Sequence, residues 1–166
     1  MELIKLWDAD IKKAYVLQNN FDEEENGFVN TAYGYTFAQF QAYVKLKQGY
    51  SVGKNLPEGF VSDSTYILEV DGNYVGIFNL RHELNDFLRQ HAGHIGYGIA
   101  KPYRHKGYAT RGLKLLIDKA KEIIKEDEIY MSVHKDNAHS LRVQTNNGAY
   151  IVGENEEDFL TRIKIK

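Results

Sequence analysis

The chain has 166 residues, no cysteine, 21 Lys and Arg against 23 Asp and Glu, and a hydrophobic fraction of 43%. That length and composition suit one folded domain with a real core and exclude a disordered chain. A net charge of −2 disfavours a generic nucleic-acid binder, and the lack of cysteine excludes disulfides, thiolate metal sites and a cysteine nucleophile. The N-terminal stretch MELIKLWDADIKK has no apolar core followed by a cleavage site, and no apolar run reaches the ~18 residues of a membrane span. The expectation is a single cytoplasmic domain over residues 1–166, with no nucleic-acid or membrane partner.

ELIKLW alternates and predicts a short strand. From Asp8 the period changes, and Ile11, Ala14, Tyr15 and Gln18 predict a helix running into the acidic residues Asp22 to Glu25. Thr36 is placed to cap a second helix, with Phe37, Phe40, Tyr43, Val44 and Lys47 along one stripe. Gly49, Gly53, Pro57 and Gly59 mark a loop over 49–63. STYILEV and NYVGIFNL predict two strands joined by a hairpin turn at Asp71-Gly72. NDFLRQH predicts a helical turn and GHIGYGIA a further strand. Between Tyr108 and Lys125, Leu113, Leu116, Ile117, Ala120 and Ile124 recur at helical spacing. EIYMSVH predicts a strand, Ala138 to Asn147 a helix capped by Asn137, and AYIVGE with DFLTRIKI a closing hairpin. The order of elements is that of a mixed α/β domain.

Seven of the Lys and Arg lie between Lys101 and Lys121, with Asp118 as the one acid among them. Arg104-His105-Lys106-Gly107-Tyr108-Ala109 stands between a strand and a helix, where unpaired N–H groups and the helix dipole favour an anion. Gly107 and Ala109 keep side chains out of the way of a phosphate or pyrophosphate. A βα turn with a solvated basic helix face is the other reading of the same residues. No Gly-x-x-x-x-Gly-Lys-Ser/Thr is present and no Gly-x-Gly-x-x-Gly follows a strand, so a P-loop and a dinucleotide fingerprint are set aside.

Arg104-x-x-Gly107-x-Ala109 resembles the acetyl-coenzyme A signature of the GNAT N-acetyltransferases, Arg/Gln-x-x-Gly-x-Gly/Ala. DNAHSLRVQTNNGAY is similar to that family's second element, at Asn137, Ser140, Val143 and Gly148. The strings NLRHELNDFL and GHIGYGI resemble small bacterial members with unassigned acceptors. Element order also agrees, so the resemblance covers nearly the whole chain. It implies an α+β fold of that family: a central, mostly antiparallel sheet with two splayed parallel strands, flanked by helices. It implies acetyl-coenzyme A as co-substrate, with pyrophosphate on the N–H groups of His105, Lys106, Gly107, Tyr108, Ala109 and Thr110, and Arg104 and Lys106 adding charge. Pantetheine is then expected along Ile99, Ala100 and Lys101, with Asn137 and Ser140 lining its channel. Asn137 reads equally as a plain helix cap, and Ser140 as a small residue packed under the sheet.

The implied reaction is acetyl transfer to a primary amine of a small molecule or peptide. It requires a group or water chain to deprotonate the amine, an N–H near Ile99 for the oxyanion, and an acid for the leaving thiolate. Many family members supply that acid as a Tyr seven residues after the Asn of the second motif; here that position is Gln144. Tyr97, Tyr103 or Tyr108 is the substitute to consider, or water. Lys101 also replaces the Pro usual three residues before the signature Arg, with Pro102 one place later. His82 and Glu83 are the candidate bases, set against a plain surface turn, with His94 and Tyr97 as rivals on the next strand. The acidic runs Asp22–Glu25 and Glu154–Asp158, beside Phe28, Tyr33, Tyr35, Tyr50 and Phe60, suit a cationic amine. His91-x-x-His94 and His134-x4-His139 straddle element boundaries with no carboxylate to complete a set, so no metal is expected. Many relatives dimerise, and no residue here marks an interface. The alternative is an acyl-coenzyme A sensor with little transferase activity, which the absent Tyr favours.

Overall fold

The computed structural model describes residues 1–166. In chain order, β1 (Glu2–Lys5) leads to α1 (Ile11–Gln18), the short strands β2 (Glu24–Glu25) and β3 (Phe28–Val29), and α2 (Phe37–Tyr50). Next come β4 (Asp63–Val70), β5 (Asn73–Arg81), α3 (Asp86–Gln90) and β6 (Ile95–Ile99). The chain closes with α4 (Tyr108–Ile123), β7 (Glu128–His134), α5 (Ala138–Thr145), β8 (Tyr150–Glu154) and β9 (Asp158–Lys164). The helix starts are set by side-chain oxygens that accept otherwise unpaired first-turn N–H groups. Asp10 accepts from Lys12 and Lys13, Thr36 forms a capping box with Gln39, and Asn137 accepts from Ser140.

Four antiparallel strands in the order β1-β4-β5-β6 form one sheet, and three in the order β7-β9-β8 form another. Between them the ladder is reduced to a single isolated bridge, Gly93 to Met131. Beyond it β6 and β7 share no ladder, so the sheet divides between the strand regions 94–101 and 128–134, the two strands that the resemblance implies are splayed. At the bridge the backbones meet closely: a Cβ on Gly93 would lie 2.1 Å from the Tyr130 carbonyl oxygen.

Strand alternation sorts the side chains of β4 and β5 onto two faces. Tyr66, Leu68, Phe78 and Leu80 pack with Leu113, Leu116, Ile117 and Ala120 of α4 in the larger core. Ile67 and Ile77 face the other way, into a smaller core with Leu17, Phe40 and Val44 from α1 and α2. Asp63, Thr65, Asn79 and Arg81 share this second face. Gly112 lets α4 lie close on the sheet, since a Cβ there would stand 2.4 Å from Phe78 Cζ. No helix is long and apolar enough to cross a membrane.

The segment after α1 departs from expectation. The helix stops at Gln18 and never reaches the acidic run. Glu24 and Glu25 instead pair with Val29 and Phe28 across a turn at Asn26-Gly27, whose φ values of 52° and 81° are those of a tight hairpin.

Candidate active site

The main chain after β6 bends through a 3₁₀ turn at Lys101–Tyr103. It then passes His105 and Gly107, at φ 62° and 72°, before α4 begins. No protein acceptor lies within hydrogen-bonding reach of any backbone N–H from His105 to Thr110. Gly107 caps the helix without a side chain, and a Cβ built there meets nothing within 4 Å. This is an open concavity lined with unpaired donors at the positive end of a helix of 16 residues. It fits a pyrophosphate.

The charges around the concavity are arranged differently from expectation. Arg104 donates from Nη1 and Nη2 to the two carboxylate oxygens of Glu25, at 2.8 and 2.7 Å, and from Nε to the Ile99 carbonyl at 2.9 Å. Its guanidinium holds the Glu25 carboxyl below the usual carboxylate range. Lys101 pairs with Asp22 at 2.5 Å. Arg104 and Lys101 therefore pin the β2–β3 hairpin to the end of β6, and their charge is already balanced. The cations near the turn with no carboxylate partner are Lys106, over the Tyr103 ring, and Arg111, over the Tyr108 ring. Asn147 donates to the Thr110 and Val143 carbonyls, fixing α5 beside the first turn of α4.

The strand edge beside the split is free. Arg81 N donates to His94 O, and Ala100 N to Val75 O. These bonds set the phase of the antiparallel ladder with β5, so Ile95, Tyr97 and Ile99 turn their N–H and C=O groups the other way, toward β7. The edge open to an extended ligand is thus Tyr97 and the N–H of Ile99, whose carbonyl already accepts from Arg104. Ala100 has its N–H occupied and Lys101 starts the 3₁₀ turn, which moves the pairing edge N-terminal of the 99–101 segment first expected.

A cavity of about 740 Å³ runs from this split to the face covered by α1 and α2. Tyr97, Ser132, Ser140 and Gln144 line its inner end, and Asp63, Asn79, Arg81 and Lys47 its outer wall. Tyr97 Oη lies 2.8 Å from Ser140 Oγ, and the ring stacks on Phe78. Burial pushes its phenol up to about 12, with the Ser140 hydrogen bond opposing the shift. Gln144 is buried as a structural strut: its Nε2 donates to Ser132 O at 3.1 Å and its Oε1 accepts from Thr161 at 2.6 Å. Asn137 uses its carbonyl oxygen as the helix cap, which leaves its Nδ2 without a protein acceptor.

Of the candidate bases, neither His82 nor Glu83 is among the residues lining the cavity. His82 Nε2 sits 2.9 Å from Ser64 Oγ, and burial lowers its pKa against the pull of Asp63 and Glu83. Glu83 is exposed to solvent. His94 is fully buried, and its Nδ1 accepts the Tyr130 N–H at 3.0 Å, so it joins the two sheets. Nor does any residue of the two acidic runs line the cavity: besides the pairs of Asp22 and Glu25, Glu154 meets Lys135 at 3.4 Å and Asp158 meets His134 at 3.6 Å. No three His, Asp or Glu side chains converge to hold a metal ion. Sequence reasoning missed Lys47, Asp63, Asn79 and Arg81; their signal is a run of polar residues at alternate positions in otherwise apolar strands.

A family model described as Acetyltransferase (GNAT) domain matches residues 7–150. Spermidine N(1)-acetyltransferase of Escherichia coli K12 is 28% identical over 120 residues, covering 72% of this chain and 61% of that protein, so the match spans less than two thirds of the curated relative. The structure of RimL, a ribosomal L7/L12 alpha-N-protein acetyltransferase in complex with coenzyme A, superposes with a TM-score of 0.70 at 13% identity, covering 98% of this chain and 93% of that one. Spermidine N-acetyltransferase from Vibrio cholerae, in complex with coenzyme A and spermine, gives a TM-score of 0.63 at 15% identity, covering 98% and 94%. At such identity the structural matches speak for the fold, and the family model speaks for kinship across most of the chain. The protein belongs to the GNAT acetyltransferase family.

Proposed function

We propose that the chain transfers an acetyl group from acetyl-coenzyme A directly to a primary amine. The observation that carries this reading is one continuous path: unpaired N–H groups from His105 to Thr110, a strand edge open at Tyr97 and the Ile99 N–H, and a cavity opening from that edge. Lys106, Arg111 and the main-chain donors hold a pyrophosphate, Asn137 Nδ2 and Ser140 face the arm that follows it, and the β6 edge receives that arm as an added strand.

When bound, acetyl-coenzyme A supplies the thioester that the amine attacks. The chain contributes position and proton handling. The N–H groups of the β6 edge point at the split and are placed to donate to the carbonyl oxygen as it gains charge. Tyr97 Oη holds a proton, stays neutral across the working range because of its burial, and gives it to the departing thiolate as the C–S bond breaks and the C–N bond forms. Ser140 keeps the phenol aimed. The amine sheds its own proton to solvent, since the carboxylate in the cavity wall, Asp63, stands two strands across and three residues along from Tyr97, about 14 Å away at ordinary strand dimensions.

Calorimetry with coenzyme A, followed by thiol release from acetyl-coenzyme A across a panel of amines, tests the reading. Binding with amine-dependent release is expected. Binding without release from any amine would mark a sensor, and no binding would remove the assignment.

A further inference from the structure

Resting on the transfer reading above, we infer that the acceptor is a small amine that also carries an anionic group, a carboxylate or a phosphate, and that Arg81 receives the anion. The outer wall of the cavity holds two cations, Lys47 and Arg81, and one carboxylate, Asp63. Lys47 is already paired with Asp63, whose Oδ2 also accepts from Asn79 Nδ2 at 2.5 Å. That leaves Arg81 as the uncompensated charge. A guanidinium offers five N–H donors; this one places Nη1 on the Gly93 carbonyl at 2.9 Å and makes no ion pair. Arg81 lines the cavity and its remaining N–H groups have no protein acceptor, which leaves them for a carboxylate or phosphate. Burial works against its charge, with Asp63 opposing that effect, and an anion in the cavity would supply the missing compensation.

Asp63 completes the site. It faces Arg81 across the β4–β5 ladder, and its Oδ1 is buried with no hydrogen-bond partner. A hydroxyl or second amino group of the acceptor, distinct from the amine that attacks, is the partner that oxygen lacks. A donor-rich acceptor end next to an anion end is thus written into one wall. A polyamine finds no such match, because it would bring further positive charge against Arg81 and Lys47. No residue of the two acidic runs lines the cavity, and Asp22, Glu25, Glu154 and Asp158 are paired with Lys101, Arg104, Lys135 and His134.

The test compares thiol release with three groups of amines at equal concentration: aminocarboxylates and aminophosphates with short and long spacers, their neutral amide or alcohol counterparts, and spermidine. The expected result is a kcat/KM at least about tenfold higher for one anionic group than for its neutral counterpart, as for a site whose buried donor is left unpaired by the wrong ligand. The two anionic arms tell carboxylate from phosphate. In Arg81→Gln the anionic-to-neutral ratio should fall toward one, mainly through KM, while Arg81→Lys should keep part of it. Coenzyme A calorimetry on each variant separates a lost acceptor site from a lost cofactor site or a failure to fold. Should Arg81→Gln not fold, the wild-type ratios alone decide. Spermidine or neutral amines turned over as well as their anionic analogues would overturn the inference while leaving the transferase reading intact. Turnover of no amine despite coenzyme A binding would overturn both.

Discussion

The phenol of Tyr97 and the hydroxyl of Ser140 lie 2.8 Å apart across the gap between β6 and the start of α5. The contact puts a protonated, buried phenol beside Gln144, which stands at the position where the family resemblance implies an acidic Tyr. Tyr97→Phe removes that proton and keeps the Phe78 stacking. Its kcat for thiol release should fall on the order of 100-fold, as for loss of a general acid, with KM for acetyl-coenzyme A nearly unchanged. Ser140→Ala, which removes the aiming contact and spares the acid, should cost less. A Tyr97→Phe enzyme with unaltered kcat would move the proton donor to water.

Gly107→Glu tests the concavity. The position has open space around it, so no clash prevents folding, but its φ of 72° is one that L residues adopt at a cost of about 1–2 kcal/mol. Gly107→Ala pays the same backbone cost without a charge. Both variants should melt a few degrees below wild type. Coenzyme A binding by calorimetry should survive in the Ala variant, weakened, and vanish in the Glu variant. Equal binding by both would place the phosphates elsewhere.

The helices, the long strands and the open turn before α4 were legible from residues because each rests on local chemistry: caps at Thr36 and Asn137, the Asp71-Gly72 turn, the glycine before α4. What stayed hidden depends on contacts between distant residues. Arg104 and Glu25 are 79 residues apart, and nothing local says that one neutralises the other. The acceptor wall was hidden by register. Counted outward from the Asp71-Gly72 turn, Asp63 would face Leu80, but a bulge between Leu68 and Glu69 shifts the ladder and brings Asp63 opposite Arg81. The Asn26-Gly27 hairpin is different, since that dipeptide is a local turn signal standing in plain view.

Gly112→Ala sets two effects against each other. Within a helix, Ala is favoured over Gly by up to about 1 kcal/mol. Here the added methyl would meet Phe78 Cζ at 2.4 Å and Leu68 Cδ2 at 3.0 Å, in a core with no slack. Overpacking of this kind costs about 1–3 kcal/mol, so the variant should be less stable despite its better helix propensity. Urea denaturation at neutral pH measures the sign. A more stable variant would mean that α4 moves off the sheet freely.

His94 gives the fold a predictable acid limit. It is fully buried, and its Nδ1 must be unprotonated to accept the Tyr130 N–H. Burial lowers its pKa from the ordinary 6.5 to about 4, with Glu126, 3.5 Å from Nε2, pulling the other way. A depressed folded pKa means that the unfolded chain binds the proton more readily over this range. The contribution of His94 is therefore complete above about pH 6.5, shrinks as pH falls, and is gone near pH 4. The difference corresponds to about 3 kcal/mol across that window. Replacement by Asn, whose side-chain oxygen can take the Nδ1 position, should leave the Tyr130 bond and remove the titration. Urea unfolding at several pH values between 7 and about 4.5 should then show a wild-type curve that drops more steeply than that of His94→Asn. Parallel curves would show that His94 keeps its charge state on unfolding and that the join between the two sheets is not what acid attacks.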